Sequence, residues 1–436
     1  MALVVVLTFA GHLLFGANRN DLSLAFSIAW LAALPLVLTQ AWARDSLERT
    51  PLQWVGAAFA LTLLAGVLSL TPLFEPHPIW TLAPGATRTV TIDPYATWLE
   101  LFKLLGLAAA FLVGASFGGD DDRAKQLIQG LLLAGLAYGL WAFFDFETSR
   151  TLLFGQARHL DPSRLAASLS SANIAATLFG ALVVLNVADL TRRMERQAER
   201  QSGGFEFRHL DGLLQTAAVP LISLGVALTC IVLTVSRTGM VATLAGVVVF
   251  LGLRALLGAK KGAFVGPLIG MLVIVAGLVI ASVAFNISAV GDRVSSFHED
   301  ASSREAVYAA HWTAFLTSPW QGYGLGVFAH INALATNDAN REQLYGLGAT
   351  HNVYIQWLEE AGLVGALPMF AVVALIAARI IRGLKERQRV RLWLIGILSV
   401  LGLFLLHGAT DFPLEVPSMT LFLSLLLGLG YRMARR

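Results

Sequence analysis

A single cysteine, Cys230, in 436 residues excludes an intrachain disulfide whatever compartment the protein works in. Charge is scarce as well. Only 14% of the residues are charged and 56% are hydrophobic, with a mean hydropathy of +0.68, whereas soluble domains carry roughly 25% charged residues. A soluble globular domain is therefore excluded, and the chain reads as an all-α polytopic membrane protein. It has no low-complexity segment, no clear internal repeat and no glycine-rich nucleotide loop, and nothing in it points to a nucleic-acid partner. The first apolar stretch lacks a basic segment ahead of it, so Leu3–Phe15 is read as a retained first span and not as a cleaved leader.

A helix needs about 20 apolar residues to cross a bilayer. Hydrophobic runs predict twelve spans, near 2–16, 22–41, 53–73, 95–117, 127–147, 170–190, 212–235, 238–257, 263–287, 361–381, 392–410 and 419–432. The chain is read as one membrane domain over 1–436. Lysine and arginine collect in cytoplasmic loops. One alternating set of loops and ends holds 21 of the 31 basic residues, including "TRRMERQAER", "ARIIRGLKERQRVR" and "RMARR". That set is assigned to the cytoplasm, with both termini. The opposite set holds nine, all arginine: Arg19, Arg88, Arg150, Arg158, Arg164, Arg237, Arg293, Arg304 and Arg341, while Lys103 lies inside the fourth span. Arginine grips phosphate through a planar fork, whereas lysine offers a point charge.

Only one outer segment is long, 288–350 between the ninth and tenth spans. Its Ser303–Phe315 stretch has helical periodicity, with Val307, Ala310, Ala314 and Phe315 on one stripe, Ser302 or Ser303 as cap and Arg304 in the first turn. "SPWQGYGLG" sets three glycines at alternate positions, which suits close approach of the backbone to another group. His351 and Asn352 then open a helix that continues through "IQWLEEAGLVG".

"SRTG" at the outer end of a span, an arginine-bearing helix followed by "SPWQGYGLGVF", and "HNVYIQWLEEAGLVGALP" stand in that order between Leu233 and Phe370. This third of the chain resembles the O-antigen ligase/O-antigen polymerase superfamily. "RLAASLSSANIAATL" (Arg164–Leu178) resembles, more loosely, an upstream family segment ending in an asparagine. The resemblance implies a metal-independent membrane glycosyltransferase of GT-C-like helical architecture, without cofactor. It implies a glycan donor linked to undecaprenyl diphosphate, taken at the periplasmic face of the bacterial inner membrane. The acceptor would be lipid A–core for a ligase, the preferred reading, or a lipid-linked repeat for a polymerase.

Such a reaction needs a base for the acceptor hydroxyl and positive charge for the departing diphosphate. His351 fits the family's functional histidine, and an unperturbed imidazole pKa of about 6.5 suits a base; a polar helix start is its plain alternative. Arg237 and Arg304 would hold the diphosphate, against an interfacial snorkelling arginine and a surface ion pair respectively. Arg164, Asn352, Tyr323 and Asp411 are candidate substrate-binding residues, with Arg158 and Arg341 behind Arg164, and pairing with an outer arginine is an alternative open to Asp411. Trp312, Trp320, Tyr323 and Trp357 would stack sugars or, the preferred reading, form an interfacial belt. Glu359 and Glu360 would orient an arginine or lie on a solvated helix face. His298, Glu299 and Asp300 read as a solvated acidic turn and not as a metal site. A transporter of lipid-linked sugars would need ionisable residues in several spans and repeat symmetry, and a protein-glycosylating relative a longer C-terminal domain; neither is evident.

Overall fold

The computed structural model describes residues 1–82, 88–149, 151–157, 160–200, 210–258 and 290–435. The expected ninth span at 263–287 and Arg150, Arg158, Arg208, Lys260 and Lys261 lie outside the described residues, as do the side chains of Arg293 and of His298–Asp300. Apart from a hairpin pairing Leu152–Leu153 with Gln156–Ala157, the regular elements among the described residues are helical. They are α1 (Ala2–Leu13), α2 (Asn20–Leu38), α3 (Ala41–Glu48), α4 (Gln53–Ser69), α5 (Pro94–Phe117), α6 (Asp121–Thr148), α7 (Ala172–Arg200), α8 (Leu210–Thr234) and α9 (Arg237–Leu256). From residue 290 onward come α10 (Val290–Thr317), α11 (Phe328–Ala335), α12 (Arg341–Leu344), α13 (Val353–Glu386), α14 (Arg391–Gly408) and α15 (Pro417–Met433).

Among the described residues eight helices are long and apolar enough to cross a membrane, or nine if α3 and α4, bent by 88°, form one broken span. The short α1 and α15, of 12 and 17 residues, stand where the first and last of the twelve expected spans were placed. Polar side chains start several helices where the sequence changes character. Asp93 caps α5 by accepting from the amides of Tyr95 and Ala96, with Pro94 in the first turn. Asp120 caps α6, Ser236 caps α9 and Asn352 caps α13 in the same way.

The core is continuous across α1, α5, α6, α7, α9, α14 and α15. Helix α7 is its axis, since 94% of its most apolar stretch is buried. Trp30, Phe179, Phe250, Trp393, Phe404 and Phe422 fill the interior. Hydrocarbon supplies no hydrophobic drive between spans, so close packing must hold them together. Helices α5 and α15 meet at backbone distance: a Cβ on Gly114 would lie 2.1 Å from the Leu425 carbonyl oxygen, and one on Gly428 would lie 1.9 Å from that of Phe111.

Polar contacts divide the bundle into two ends. At one end Arg387 pairs with Asp121, Arg389 with Asp122 at 3.1 Å and Arg254 with Glu195 at 2.8 Å. There too Arg391 donates to the Leu257 carbonyl and Arg432 to that of Ser46. All these cations belong to the set assigned to the cytoplasm.

The segment after 290 departs from the sequence reading. Helix α10 runs 28 residues from Val290, so Ser303 is not its cap and Arg304 lies mid-helix; residues 298–300 are helical and form no turn. No proline interrupts Val290–Thr317, and the arginine, glutamate and alanine positions upstream of Ser303 favour helix as much as those after it. The glycine-rich segment does make a close approach, and its partner is α13. That helix breaks at Gly362 (φ 58°, ψ −177°), a conformation open essentially to glycine alone. Residues 319–324 fill the break: the amides of Tyr323 and Gly324 donate to the carbonyls of Glu359 and Glu360, and those of Leu363 and Val364 to Pro319 and Trp320, at 2.9–3.1 Å.

Candidate active site

At the end of the bundle away from the ion pairs, three irregular turns converge, and each carries a non-glycine residue in the left-handed region. They are Ala167 (φ 52°) before α7, Val235 (φ 53°) between α8 and α9, and His351 (φ 55°) before α13. A β-branched or bulky residue adopts this conformation at a cost of about 1–3 kcal/mol, and such residues cluster at functional sites because the surroundings must enforce them. These turns present Arg164, Arg237 and His351.

Asp411, in the turn between α14 and α15, lies at their junction and is fully buried. Its Oδ2 accepts from Asn173 Nδ2 at 2.5 Å, its Oδ1 accepts from the Phe412 amide at 2.9 Å, and the same Oδ1 faces His351 Nδ1 at 3.6 Å. Burial pushes the Asp411 carboxyl up, but contact with His351 and the nearby imidazole of His407 outweigh it and hold the group below the ordinary carboxylate value. His351 Nδ1 has no hydrogen-bond partner among the described residues. Its contact with Asp411 is long, as catalytic hydrogen bonds often are before substrate binds. The imidazole packs edge-on against Phe412, 4.9 Å between centroids, and its backbone carbonyl accepts from Tyr308 on α10 at 2.9 Å.

Arg164 joins through Asn173: its Nη2 donates to Asn173 Oδ1 at 2.7 Å while its Nε donates to the Thr234 carbonyl at the end of α8 at 3.0 Å. Among the described residues Asp411 is thus linked to Arg164 only by way of the Asn173 amide, and not by the direct arginine pairing that the sequence offered. Arg237 is the exposed first residue of α9, and its neighbour Thr238 contacts His407 Nε2 at 3.1 Å. His407 Nδ1 meets Thr177 Oγ1 at 2.7 Å, and that hydroxyl donates to the Asn173 carbonyl. Thr177 therefore accepts from Nδ1–H, which leaves Nε2 to accept from Thr238. One neutral histidine thereby ties the opening turns of α7 and α9 to the last turn of α14. Arg304 is half-buried one turn before Tyr308. Burial raises the Tyr308 hydroxyl above its ordinary range, with the charge of Arg304 opposing and that of Asp411 adding to the shift.

The other sequence candidates lie elsewhere. Asn352 spends its side-chain oxygen on the amides of Tyr354 and Ile355. Tyr323 is buried beside the α13 break, bonded to Thr317 and packed on His77, and its amide meets the carbonyl of Glu359. That carbonyl is eight residues past His351, about 12 Å along the helix. Arg341 lies over the ring of Tyr345.

Glu359 and Glu360 are not on a solvated face: both are buried, and among the described residues neither holds an arginine. Glu359 Oε2 shares a proton with His311 Nδ1 at 2.7 Å, and His311 Nε2 meets Asn332 Oδ1 at 3.2 Å. Burial drives His311 down to about 4. Glu360 accepts from the amides of Gly326 and Phe328. These contacts lock α10 and the glycine-rich segment onto α13. A buried acid with its own donors costs less than an exposed helix face would suggest, because the irregular backbone needs acceptors there.

Asn173, Thr177, His407 and Tyr308 escaped the sequence reading as site residues. His407 had a signal, a histidine in the last turn of an apolar span four residues before Asp411. Thr177 and Tyr308 had none. Among the described residues no group of three or more histidine, cysteine, aspartate or glutamate side chains is placed to hold a metal ion.

Together these features define a polytopic helical membrane protein whose polar site, a histidine on a buried aspartate among arginine-bearing turns, lies at one end of the bundle. The family model for O-antigen ligases, whose members are glycosyltransferase-like enzymes, matches residues 222–370 of the chain. The match includes Arg237, Arg304 and His351 and ends before His407 and Asp411; Arg164 and Asn173 precede it. A comparison with curated proteins gives no match.

Proposed function

We propose that the protein transfers a glycan from undecaprenyl diphosphate to a sugar hydroxyl of lipid A–core at the periplasmic face of the inner membrane. Both termini would then be cytoplasmic, and the twelve-span layout would carry the site on the outer end. The observation that carries this reading is the juxtaposition of His351 with the buried carboxylate of Asp411, 3.6 Å apart, at the bundle end where the arginine-bearing turns meet.

The chemistry follows from that geometry. The acceptor oxygen attacks the anomeric carbon as the bond from that carbon to the diphosphate oxygen breaks, and the bonding pair leaves with the diphosphate. Asp411 holds the proton of His351 on Nδ1, which frees Nε2 to take the proton of the acceptor hydroxyl, and the carboxylate stabilises the imidazolium so formed. Arg164, Arg237 and Arg304 would supply positive charge to the diphosphate, where charge grows as the bond breaks and preorganised donors are most effective.

The test is the glycan profile of a deletion strain run beside its lipid-linked pool. Polymer held on undecaprenyl diphosphate with bare lipid A–core is the expected result. Lipid A–core bearing one repeat would make the enzyme a polymerase instead. Intact lipopolysaccharide with another polymer missing would move it to a different pathway, and donor stranded on the cytoplasmic face would make it a transporter.

A further inference from the structure

Arginine can only donate hydrogen bonds and an ionised carboxylate can only accept them. Between Arg164 and Asp411 stands one side chain, Asn173, with its oxygen 2.7 Å from the guanidinium and its nitrogen 2.5 Å from the carboxylate. No other orientation of the amide satisfies both neighbours, so its placement is fixed by chemistry. The main chain fixes it too: the Asn173 amide donates to Ser171 Oγ, and its carbonyl accepts from Thr177, which also contacts His407. A residue with an acceptor on one side and a donor on the other is required here. Aspartate would set two carboxylates against each other, and serine is too short to span the gap.

We propose that Asn173 is a positioning residue that joins the arginine placed for the donor diphosphate to the carboxylate that orients the base, so that Arg164, Asn173 and Asp411 act as one hydrogen-bonded unit facing His351. This rests on the proposed transfer reaction and deepens it. Donation from Asn173 spreads part of the Asp411 charge toward Arg164 and away from His351. A diphosphate that draws Arg164 toward itself weakens that donation, which leaves more of the carboxylate's charge for the imidazolium formed at His351. Binding of the leaving group would thereby strengthen the base, with no contact between the two.

The test uses the full chain in nanodiscs and reads two quantities, the pH dependence of transfer from a lipid-linked donor and the titration of the His351 imidazole by carbon-13 NMR, assigned with His351→Gln. Asp411, His407, Tyr308, Arg304, Arg164 and Arg237 are the titratable and charged groups on the turns and helix ends nearest His351, with Glu305, His311, Glu359, Glu360 and Glu415 further along the same elements. None is altered in Asn173→Ala, which removes both amide bonds.

Losing the donor leaves Asp411 holding the His351 proton more tightly. The acid limb of the pH–rate profile and the imidazole midpoint should therefore both move up, by about one unit, the scale of shift that one hydrogen bond to a charged group brings. On the acid limb, below both midpoints, transfer should fall about tenfold with that shift. Asn173→Asp should move both further in the same direction, and if its paired carboxylates prevent folding the alanine variant decides alone. A rate loss with limb and midpoint unmoved would reduce Asn173 to a packing residue and overturn the proposal. The two readings fail separately. Wild-type protein that transfers nothing from a lipid-linked donor would refute the function, while the NMR midpoint would still show whether Asn173 links the two groups.

Discussion

Replacing Asp411 by asparagine changes one atom and one charge at the centre of the site. The carboxylate is fully buried and both of its oxygens are engaged. Oδ2 receives Asn173 at 2.5 Å, and Oδ1 receives the Phe412 amide while facing His351. An amide can satisfy only part of this. With its oxygen toward Phe412, its NH₂ confronts the NH₂ of Asn173, which cannot turn without setting its own NH₂ against Arg164. Turned round, its NH₂ points at the Phe412 amide and at His351 Nδ1, which must then accept, so the imidazole proton moves to Nε2 and the base is blocked. Either arrangement loses a hydrogen bond to a charged group, worth about 1.5–3 kcal/mol.

The effect on rate should be larger than the effect on stability. In the His–Asp pairing of serine proteases the same change costs about 10⁴ in kcat through the wrong tautomer. A site whose His–Asp contact is longer should lose between about 10² and 10⁴, equivalent to roughly 2.7–5.4 kcal/mol of barrier. The assay is single-turnover transfer by purified full-length protein with saturating lipid-linked donor, beside a thermal unfolding curve. A variant that stays folded and keeps transfer within tenfold of wild type would refute the orienting role of Asp411.

His351→Ala and Arg237→Ala should each abolish transfer in cells while the protein remains folded and inserted; near-normal surface glycan from both would show that the site has been misplaced. Gly362→Ala forces a side chain into a left-handed φ, with its Cβ 2.3 Å from the Trp320 carbonyl oxygen and 2.5 Å from the Gly322 nitrogen. Opening the four main-chain bonds there, at about 0.5–1.5 kcal/mol each, should cost about 3 kcal/mol or more, visible as a lower Tm; an unchanged Tm would mean the break relaxes freely. Chelators should leave transfer unaffected if arginines alone hold the leaving group, and loss in EDTA restored by a divalent ion would overturn that account.

The fold was legible where physics is local. Twenty-residue apolar runs predicted α2, α5, α9 and α14 to within three residues at either end, because hydrocarbon requires such lengths. The start of α10 was not legible: polar and apolar residues alternate there without a stop signal, and the helix simply continues upstream. In the candidate site, His351, Asp411, Arg164 and Arg237 were legible as candidates because charge in an apolar sequence stands out and because His351 and Arg237 lie in the motifs of the family resemblance. Asn173 showed only as the asparagine of the loosely matching upstream segment and Thr177 not at all, since an amide and a hydroxyl at the start of an apolar helix look like ordinary first-turn residues until partners 230 or more positions away are brought to them. Glu359 and Glu360 were misjudged for a related reason. Two adjacent acids on a helix suggest solvent, and nothing local reveals that a distant stretch of backbone will supply their donors.

The break in α13 has a consequence for which changes this protein can accumulate. Residues 319–324 and 359–364 are held together by main-chain amides and carbonyls, a pairing indifferent to most side chains but dependent on residue count. Away from its glycines and from the buried Tyr323, Glu359 and Glu360, this part of the molecule should accept varied side chains across related sequences, yet tolerate no insertion or deletion in either stretch. One residue gained or lost would put all four bonds out of step and swing the outer part of α13, with His351 at its head, away from Asp411.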